Sequence, residues 1–405
     1  MILATRTNVP AIAMSFSDSS FPYGPFVPHW VPKQHVQEHF SRNRTDSLLA
    51  LNTTVESVIK VGEHERWILT LRRHDPTRQL DQWWKEEFDA VVLCNGHYAV
   101  PFIPYVPGLA QYMDRFPGKV LHSKTYRAAS TFAGKSVMVI GNSASGIDIA
   151  SALVSTVHLP LYQSRRSRSP WDGDEPPDGV VWRPVIASYA RSGDIAFTDG
   201  TVFGPADLDY VVYCTGYKSS FPFWNPKING GPLWNYAADR LVGNYLHTFF
   251  ADHPTLGIIG MPRTLTFRSF EYQAIALARV FAKRNMAQLP KRAEMKRWED
   301  ERGESMKRQR KKFHDIPWAN GETMEYLEAL YKIAGLPGLG GEGLCPPILD
   351  AETRWALENV RKYPEPGKDS RKSSSSSWSQ KHGQQGEDPW VVVQANGAAE
   401  ILHTI

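Results

Sequence analysis

The chain has 405 residues, 42% hydrophobic and 22% charged, with a formal net charge of +4. That is a globular composition, long enough for two domains and a tail, and a charge too small to argue for a nucleic-acid partner. Its three cysteines, Cys94, Cys214 and Cys345, stand far apart, which leaves no metal spacing and no redox C-x-x-C pair and fits a reducing, cytoplasmic setting. No run reaches transmembrane length, and the N-terminus lacks a basic segment followed by an apolar core.

Taken in order, the chain opens with Thr7-Asn8-Val9-Pro10, then Met14 to Asp18 as M-S-F-S-D, then a Pro/aromatic-rich loop over 21–30. A helix is expected from about 34 to 40. Residues 55–61 and 67–71 read as two strands joined through a turn at 62–65. Residues 88–94 form a further buried strand, ending in Asn95-Gly96-His97. A glycine straight after a buried strand either brings backbone close to a cofactor or merely ends the strand, and the local sequence leaves both open. His122 by itself is the kind of histidine that more often makes structural hydrogen bonds than catalyses, and no nucleophile–base pair or carboxylate pair lies near it in sequence.

The most informative stretch is residues 136–150, SVMVIGNSASGIDIA. It predicts a short buried strand, a turn from Gly141 to Gly146, and a helix with apolar residues at helical spacing. Gly141 permits a tight turn and Gly146 a close helix–strand approach. Across Ser143, Ala144 and Ser145 the backbone N–H groups can face a pyrophosphate at the helix N-terminus, where the dipole favours negative charge. Residues 157–163 are the next strand, with Pro160 predicting a bulge or bend. After it come Arg165 and Arg166, where an NAD site would place a carboxylate for the ribose 2′-OH. Guanidinium groups bind phosphate in a bidentate fork, so the pattern points to NADP(H) rather than NAD(H). The alternative is a solvated basic loop after a strand.

Beyond this unit, 180–182 and 195–198 are short strand-like pieces and 209–214 is a buried strand followed by Thr215-Gly216-Tyr217. Residues 256–260 repeat the strand-then-glycine pattern. Helices are expected at 270–283, at 291–312, where interleaved charge reads as a solvated helix laced with i,i+4 pairs, and at 324–333. A glycine-rich linker at 335–343 and a disordered Ser/Gln/Lys-rich tail at 368–388 follow, then an apolar strip at 390–393 that docks back or hangs free.

Several of these motifs coincide in order and spacing with one family. Phe116-Pro117-Gly118, His122 and Tyr126 fit F-x-G-x-x-x-H-x-x-x-[YF]; with the Gly141–Gly146 turn, Thr215-Gly216-Tyr217 and the early T-N-x-P and M-x-F-x-D, the chain resembles the flavin-containing monooxygenases over roughly residues 3–290. Within them it is closest to the N/S-oxygenating branch with fungal thiol-oxidising members, because Baeyer–Villiger relatives carry Trp where Tyr126 stands. The resemblance implies an α/β fold of two dinucleotide-binding, Rossmann-like domains, the NADPH domain (116–205) inserted into an FAD domain (1–115 and 206–290), then a helical extension (291–365) and a largely disordered tail (366–405). It implies FAD and NADPH as cofactors, molecular oxygen, and a small amine, thiol or sulfide oxidised through a C4a-hydroperoxyflavin. It assigns Asn8 to the flavin edge as the catalytic residue, with Thr7, Gly96, His122, Ser123, Thr215 and Gly216 beside the cofactors. The local alternative for Asn8 is an Asx turn before Pro10. Family members carry an FAD glycine fingerprint about fifty residues before the T-N motif, and none precedes it here. The chain as written is therefore expected to bind FAD poorly, or to be a truncated form of a full enzyme. A ketone-oxidising Baeyer–Villiger enzyme and an inactive NADP(H)-binding remnant are the rival readings. The absent cysteine pair argues against a disulfide reductase.

Overall fold

The computed structural model describes residues 6–21, 24–62, 66–169, 172–262, 267–284, 287–318, 321–336, 349–362 and 391–392. The expected turn at 62–65 and linker at 335–343 lie only partly within them, and the tail at 368–388 lies outside.

A five-stranded sheet carries the glycine turn. Its order is Val120–His122, Tyr210–Tyr213, Ser136–Ile140, His158–Ser164 and Val180–Arg183, and every neighbouring pair is parallel. A parallel sheet must be covered on both faces, and its strands read as near-continuous apolar runs for that reason. Val137, Met138 and Val139 are fully buried. On one face the helix Ala144–Leu153 packs Ile149 and Leu153 against Val137, Val139 and Leu161. On the other, the helix Leu109–Arg115 and a three-stranded antiparallel meander within 186–203 pack Tyr112, Tyr189 and Phe197 against Met138 and Tyr213. Tyr210–Tyr213 lies inside this sheet, so the unit runs on past residue 205, where the sequence reading ended it. The pairing of Ser136–Ile140 with His158–Ser164 shifts register around Pro160, the irregularity that proline predicted.

The remainder is organised about a second, mixed sheet in the order Asn244–Tyr245, Phe249–Phe250, Leu256–Ile258, Val91–Leu93, only the last pair being parallel. The single strand expected over 88–94 is two pieces: Leu80–Phe88 ends a three-stranded meander with Thr53–Val61 and Arg66–Asp75, and Val91–Leu93 starts the new sheet. Aspartate at position 89 and the small Ala90 separate them. The helices Phe267–Phe281 and Glu322–Ile333 bury Tyr272, Ala276, Leu327 and Leu330 in a shared core. The charged helix Arg292–Gln309 is not simply solvated, since Met295, Glu299 and Met306 form a buried stripe. Val391–Val392 pairs with Val360–Arg361, so that part of the apolar strip docks back.

Candidate functional site

The strand Ser136–Ile140 delivers the glycine turn to the carboxyl end of the parallel sheet, the edge at which such sheets bind ligands. Gly141 has φ +112°, and a Cβ there would fall 2.8 Å from the Cys214 carbonyl oxygen. A Cβ on Gly146 would fall 2.2 Å from the Gly141 carbonyl oxygen. Both positions therefore require glycine, one for conformation and one for close approach. Ser143 is the helix N-cap, but its side chain makes no capping hydrogen bond. The Ser143 side chain thus leaves the first helical N–H groups uncapped. Ser143 and Ser145 are exposed and Ala144 half-buried.

The turn is fixed from three sides. Gly141 N–H donates to the Ser164 carbonyl (2.8 Å), Gln163 Nε2 donates to the Gly141 carbonyl (3.1 Å), and Cys214 N–H donates to the Ile140 carbonyl (2.8 Å). Cys214 is packed under the glycines, and burial pushes its thiol up to about 12, which removes it as a nucleophile at neutral pH.

Arg165 and Arg166 follow the His158–Ser164 strand, at the same edge. The Arg165 guanidinium lies 3.3 Å from the centroid of the Trp182 ring, and its Nη1 donates to Asp172 Oδ2 at 3.1 Å. Arg166 is exposed. Asp172, 5% exposed, also accepts from Asn142 Nδ2 at 2.6 Å and from Ser169 N–H at 2.8 Å. The sequence reading missed Asn142, Asp172 and Trp182. Asp172 lies thirty positions from Asn142 in a Pro/Gly/Asp-rich segment, where no spacing rule announces a carboxylate contact.

The other expected site residues gather around Tyr217. His122 is buried, with Nε2 donating to the Gly216 carbonyl (2.9 Å) and Nδ1 accepting from Lys124 N–H (3.1 Å). That pattern fixes the neutral tautomer with its proton on Nε2. Burial, its largest influence, holds His122 below the usual histidine range. Both ring nitrogens are engaged within the protein, so the ring braces the Thr215–Tyr217 loop. The Gly216 carbonyl also accepts from Phe102 N–H at 2.9 Å, and the Thr215 hydroxyl donates to the Phe102 carbonyl. Ser123 is buried against Cys214. Tyr217 meets His122 edge-on at 5.1 Å and Tyr98 at 5.5 Å, which brings the Gly96 loop to the same place. Gly96 and Gly216 have φ +67° and +83° and open space where a Cβ would stand. A recess beside them is lined by His97, Tyr98, Tyr217, Trp234, Met261 and His314. Tyr126 is a core residue stacked on Phe132 at 5.7 Å.

Thr7 is pinned by two backbone-level contacts, its N–H to the Val27 carbonyl (2.9 Å) and its hydroxyl accepting from Val27 N–H (3.2 Å). Asn8 is exposed and its amide makes no hydrogen bond among the described residues, so it forms no Asx turn there. Lys362 brings this segment to the dinucleotide helix, its Nζ donating to the Arg6 carbonyl (3.0 Å) and to Asp148 Oδ1 (3.0 Å). Among the described residues no cluster of His, Cys, Asp and Glu could hold a metal ion, and no helix is long and apolar enough to cross a membrane. The Gly141–Gly146 cradle and the arginine loop fit a nicotinamide dinucleotide. No second cradle of this kind, which a flavin pyrophosphate needs, occurs among the described residues.

A doubly covered parallel sheet with a glycine turn and an arginine loop at its carboxyl edge defines a protein of the dinucleotide-binding α/β class. Residues 4–171 match the flavin-binding monooxygenase-like family. The chain is 33% identical to flavin-containing monooxygenase FMO GS-OX5 of Arabidopsis thaliana over 66% of its own length and 58% of the relative's. It is 27% identical to senecionine N-oxygenase of Tyria jacobaeae, over 74% of this chain and 62% of that one. Its fold is that of S-allyl-L-cysteine S-oxygenase from Allium sativum, with TM-score 0.72 and 23% identity, covering 89% of this chain and 77% of that one. The chain belongs to the flavin-containing monooxygenase family, and it spans less than two thirds of the length of these curated relatives.

Proposed function

We propose that this chain is a cytoplasmic NADPH- and FAD-dependent monooxygenase that inserts one oxygen atom of O₂ into the nitrogen or sulfur of a small amine, thiol or sulfide. The observation that carries the reading is the glycine cradle, sealed against Cys214 and flanked by two arginines, in a chain of this family. The relatives' own names, an S-oxygenase and an N-oxygenase, support the choice of heteroatom.

The protein's part would be binding and placement. Backbone N–H groups at the start of Ala144–Leu153 would take the pyrophosphate, and Arg165 and Arg166 would frame the adenosine 2′-phosphate. The loops at Gly96 and Thr215–Tyr217 would let backbone approach the reacting rings, and His122 would hold the second of them in place. Asn8, with its amide uncommitted, would supply a donor beside those rings. Flavin, when bound, would supply the oxygen activation, although the described residues hold no glycine cradle for its pyrophosphate. In such a reaction placement and exclusion of water do the work.

Purified protein should be assayed with added FAD for NADPH consumption and for products one oxygen heavier from a panel of amines and thioethers. N- or S-oxides support the proposal. Esters from cyclic ketones would transfer it to Baeyer–Villiger chemistry, and NADP⁺ binding without any oxygenation would leave a nucleotide-binding remnant.

A further inference from the structure

The antiparallel meander of Thr53–Val61, Arg66–Asp75 and Leu80–Phe88 has two outer edges, and the fold treats them differently. The edge at Thr53–Val61 is covered. Val58 N–H donates to the Phe223 carbonyl (2.9 Å), Lys60 N–H donates to Asn229 Oδ1 (2.9 Å), and Asn229 Nδ2 donates to the Val58 carbonyl (2.9 Å). A register shift between Val55 and Ser57 also bends that strand. The edge at Leu80–Phe88 has none of this. It runs nine residues without proline or glycine and pairs with Arg66–Asp75 without a register shift. No described segment pairs with its outer side.

Such an edge presents a row of unpaired N–H and C=O groups, a template for another strand. Proteins blunt edges of this kind with bulges, prolines or cover. Here the edge instead carries apolar surface, with Leu80 63% exposed and Trp83 55%.

The sequence of the strand says which partner fits. Successive side chains of a strand point to opposite faces, so two identical strands pair antiparallel about a two-fold axis only where one residue faces its own copy. Centring on Lys85 or Glu86 sets like charges face to face, and centring on Trp84 sets Asp81 against Glu87. Centring on Gln82 leaves 85–88 unpaired. Centring on Trp83 sets Asp81 of each copy against Lys85 of the other, and Trp83 against Trp83. Lys85 makes no ion pair of its own among the described residues. Asp81 is held by His74 (2.8 Å) and shares the Arg72 guanidinium (3.4 Å) with Glu56 (2.6 Å), so that carboxylates outnumber guanidinium groups in the cluster.

We propose that this edge is a dimer interface for a second copy of the chain: two Leu80–Phe88 strands pair antiparallel about a two-fold axis at Trp83, with Asp81 of each copy facing Lys85 of the other, and the two meanders become one continuous sheet. The main-chain ladder supplies the attraction, and the two symmetric charge pairs set the register.

Sedimentation velocity of the full chain tests this. Wild type should reversibly dimerise. Lys85→Glu and Asp81→Lys should each weaken the dimer by about tenfold or more, because each sets like charges against each other twice. Mixing those two variants should restore association as a heterodimer, since Asp81 then meets Lys85 and the two introduced charges meet each other. Cysteine cross-linking reads the register without relying on charge. Opposed residues lie about 4.5–5.5 Å apart, within disulfide reach, and diagonal ones about 7–8 Å, beyond it. Under mild oxidation Trp83→Cys should form a linked dimer, whereas Trp84→Cys and wild type, with its native cysteines, should not. Wild type that stays monomeric at its highest soluble concentration overturns the proposal. So does a dimer that Lys85→Glu leaves intact, or a cross-link at Trp84→Cys in place of Trp83→Cys.

Discussion

Gly146 shows how little freedom the turn has. A methyl group there would sit 2.2 Å from the Gly141 carbonyl oxygen, which is backbone and cannot rotate away. The helix Ala144–Leu153 would have to lift off the sheet that Ile149 and Leu153 bury. Gly146→Ala should therefore cost roughly 1–3 kcal/mol of stability and abolish measurable NADP⁺ binding, read by urea titration and calorimetry. Ser145→Ala, at an exposed position of the same turn, is the control and should fold normally. An alanine variant at Gly146 with wild-type affinity would refute the close-packing account. The glycines were legible in the sequence because their constraint is local, a matter of backbone shape over six residues. Asp172 was not, because its role exists only once the turn and the loop have been brought together in space. His122 was legible as a structural hydrogen-bonding histidine, but its partner was not: the bond to the Gly216 carbonyl spans from one strand end to the next.

Among the elements, the hairpin Asn244–Phe250 carries the most unusual interior. His247 Nδ1 and His314 Nδ1 lie 2.9 Å apart, both residues buried. His314 Nε2 accepts from Leu241 N–H, so the His314 proton is on Nδ1 and His247 Nδ1 must accept it. Both rings are thereby neutral. Leu246 and His247 have φ +45° and +52°, a left-handed conformation held by Thr248, whose hydroxyl donates to the Leu246 carbonyl and accepts from Gln273 Nε2. Burial first, then the neighbouring His314 and Arg302, hold His247 well below the usual 6.5. Trp298, Phe313 and Tyr326 complete its surroundings and offer no carboxylate. Since its folded pKa is depressed, the unfolded chain binds the extra proton as pH falls below 6.5, and stability drops through that window by up to about 1.4 kcal/mol per pH unit for this one group. The melting temperature should fall from pH 7 to pH 5, and less steeply in His247→Asn, a residue that tolerates the left-handed backbone. Equal slopes in the two proteins would rule this histidine out as the source. The helix Arg292–Gln309 belongs to the same neighbourhood. Its sequence hid a buried stripe because Glu299 is buried beside Arg240, on a distant strand, and the Gly243 N–H, in the bend that follows that strand.

Across the whole molecule, the fold class was legible because strand-then-glycine units recur at 136–146, 209–216 and 256–260, each a strand paired parallel to at least one neighbour with its loop at the carboxyl end. The way the two sheets are joined was not. Part of the joint is a short antiparallel pairing of Val100–Pro101 with Tyr217–Lys218, too brief to leave a pattern. Another part is Lys362, near the end of the helical extension, whose ammonium links the Arg6 carbonyl in the segment before Thr7 and Asn8 to Asp148 on the dinucleotide helix. Its side chain is 12% exposed and that of Asp148 20%, so the pair is shielded from most of the solvent screening that makes surface pairs weak. Three regions remote in sequence meet on this one charge, and a lysine in a polar segment gives no sign of it. Lys362→Met should keep much of the apolar stem's packing and lose the charge, lowering stability by roughly 1.5–3 kcal/mol, the range for a hydrogen bond to a charged group. Asp148→Asn should be destabilising by less. The double variant should lose less than the sum of the two, because each single change removes the same contact. Urea midpoints for the four proteins measure the coupling. Strict additivity would show that Lys362 and Asp148 do not act as a pair and that this connection between the N-terminal segment and the dinucleotide helix contributes nothing.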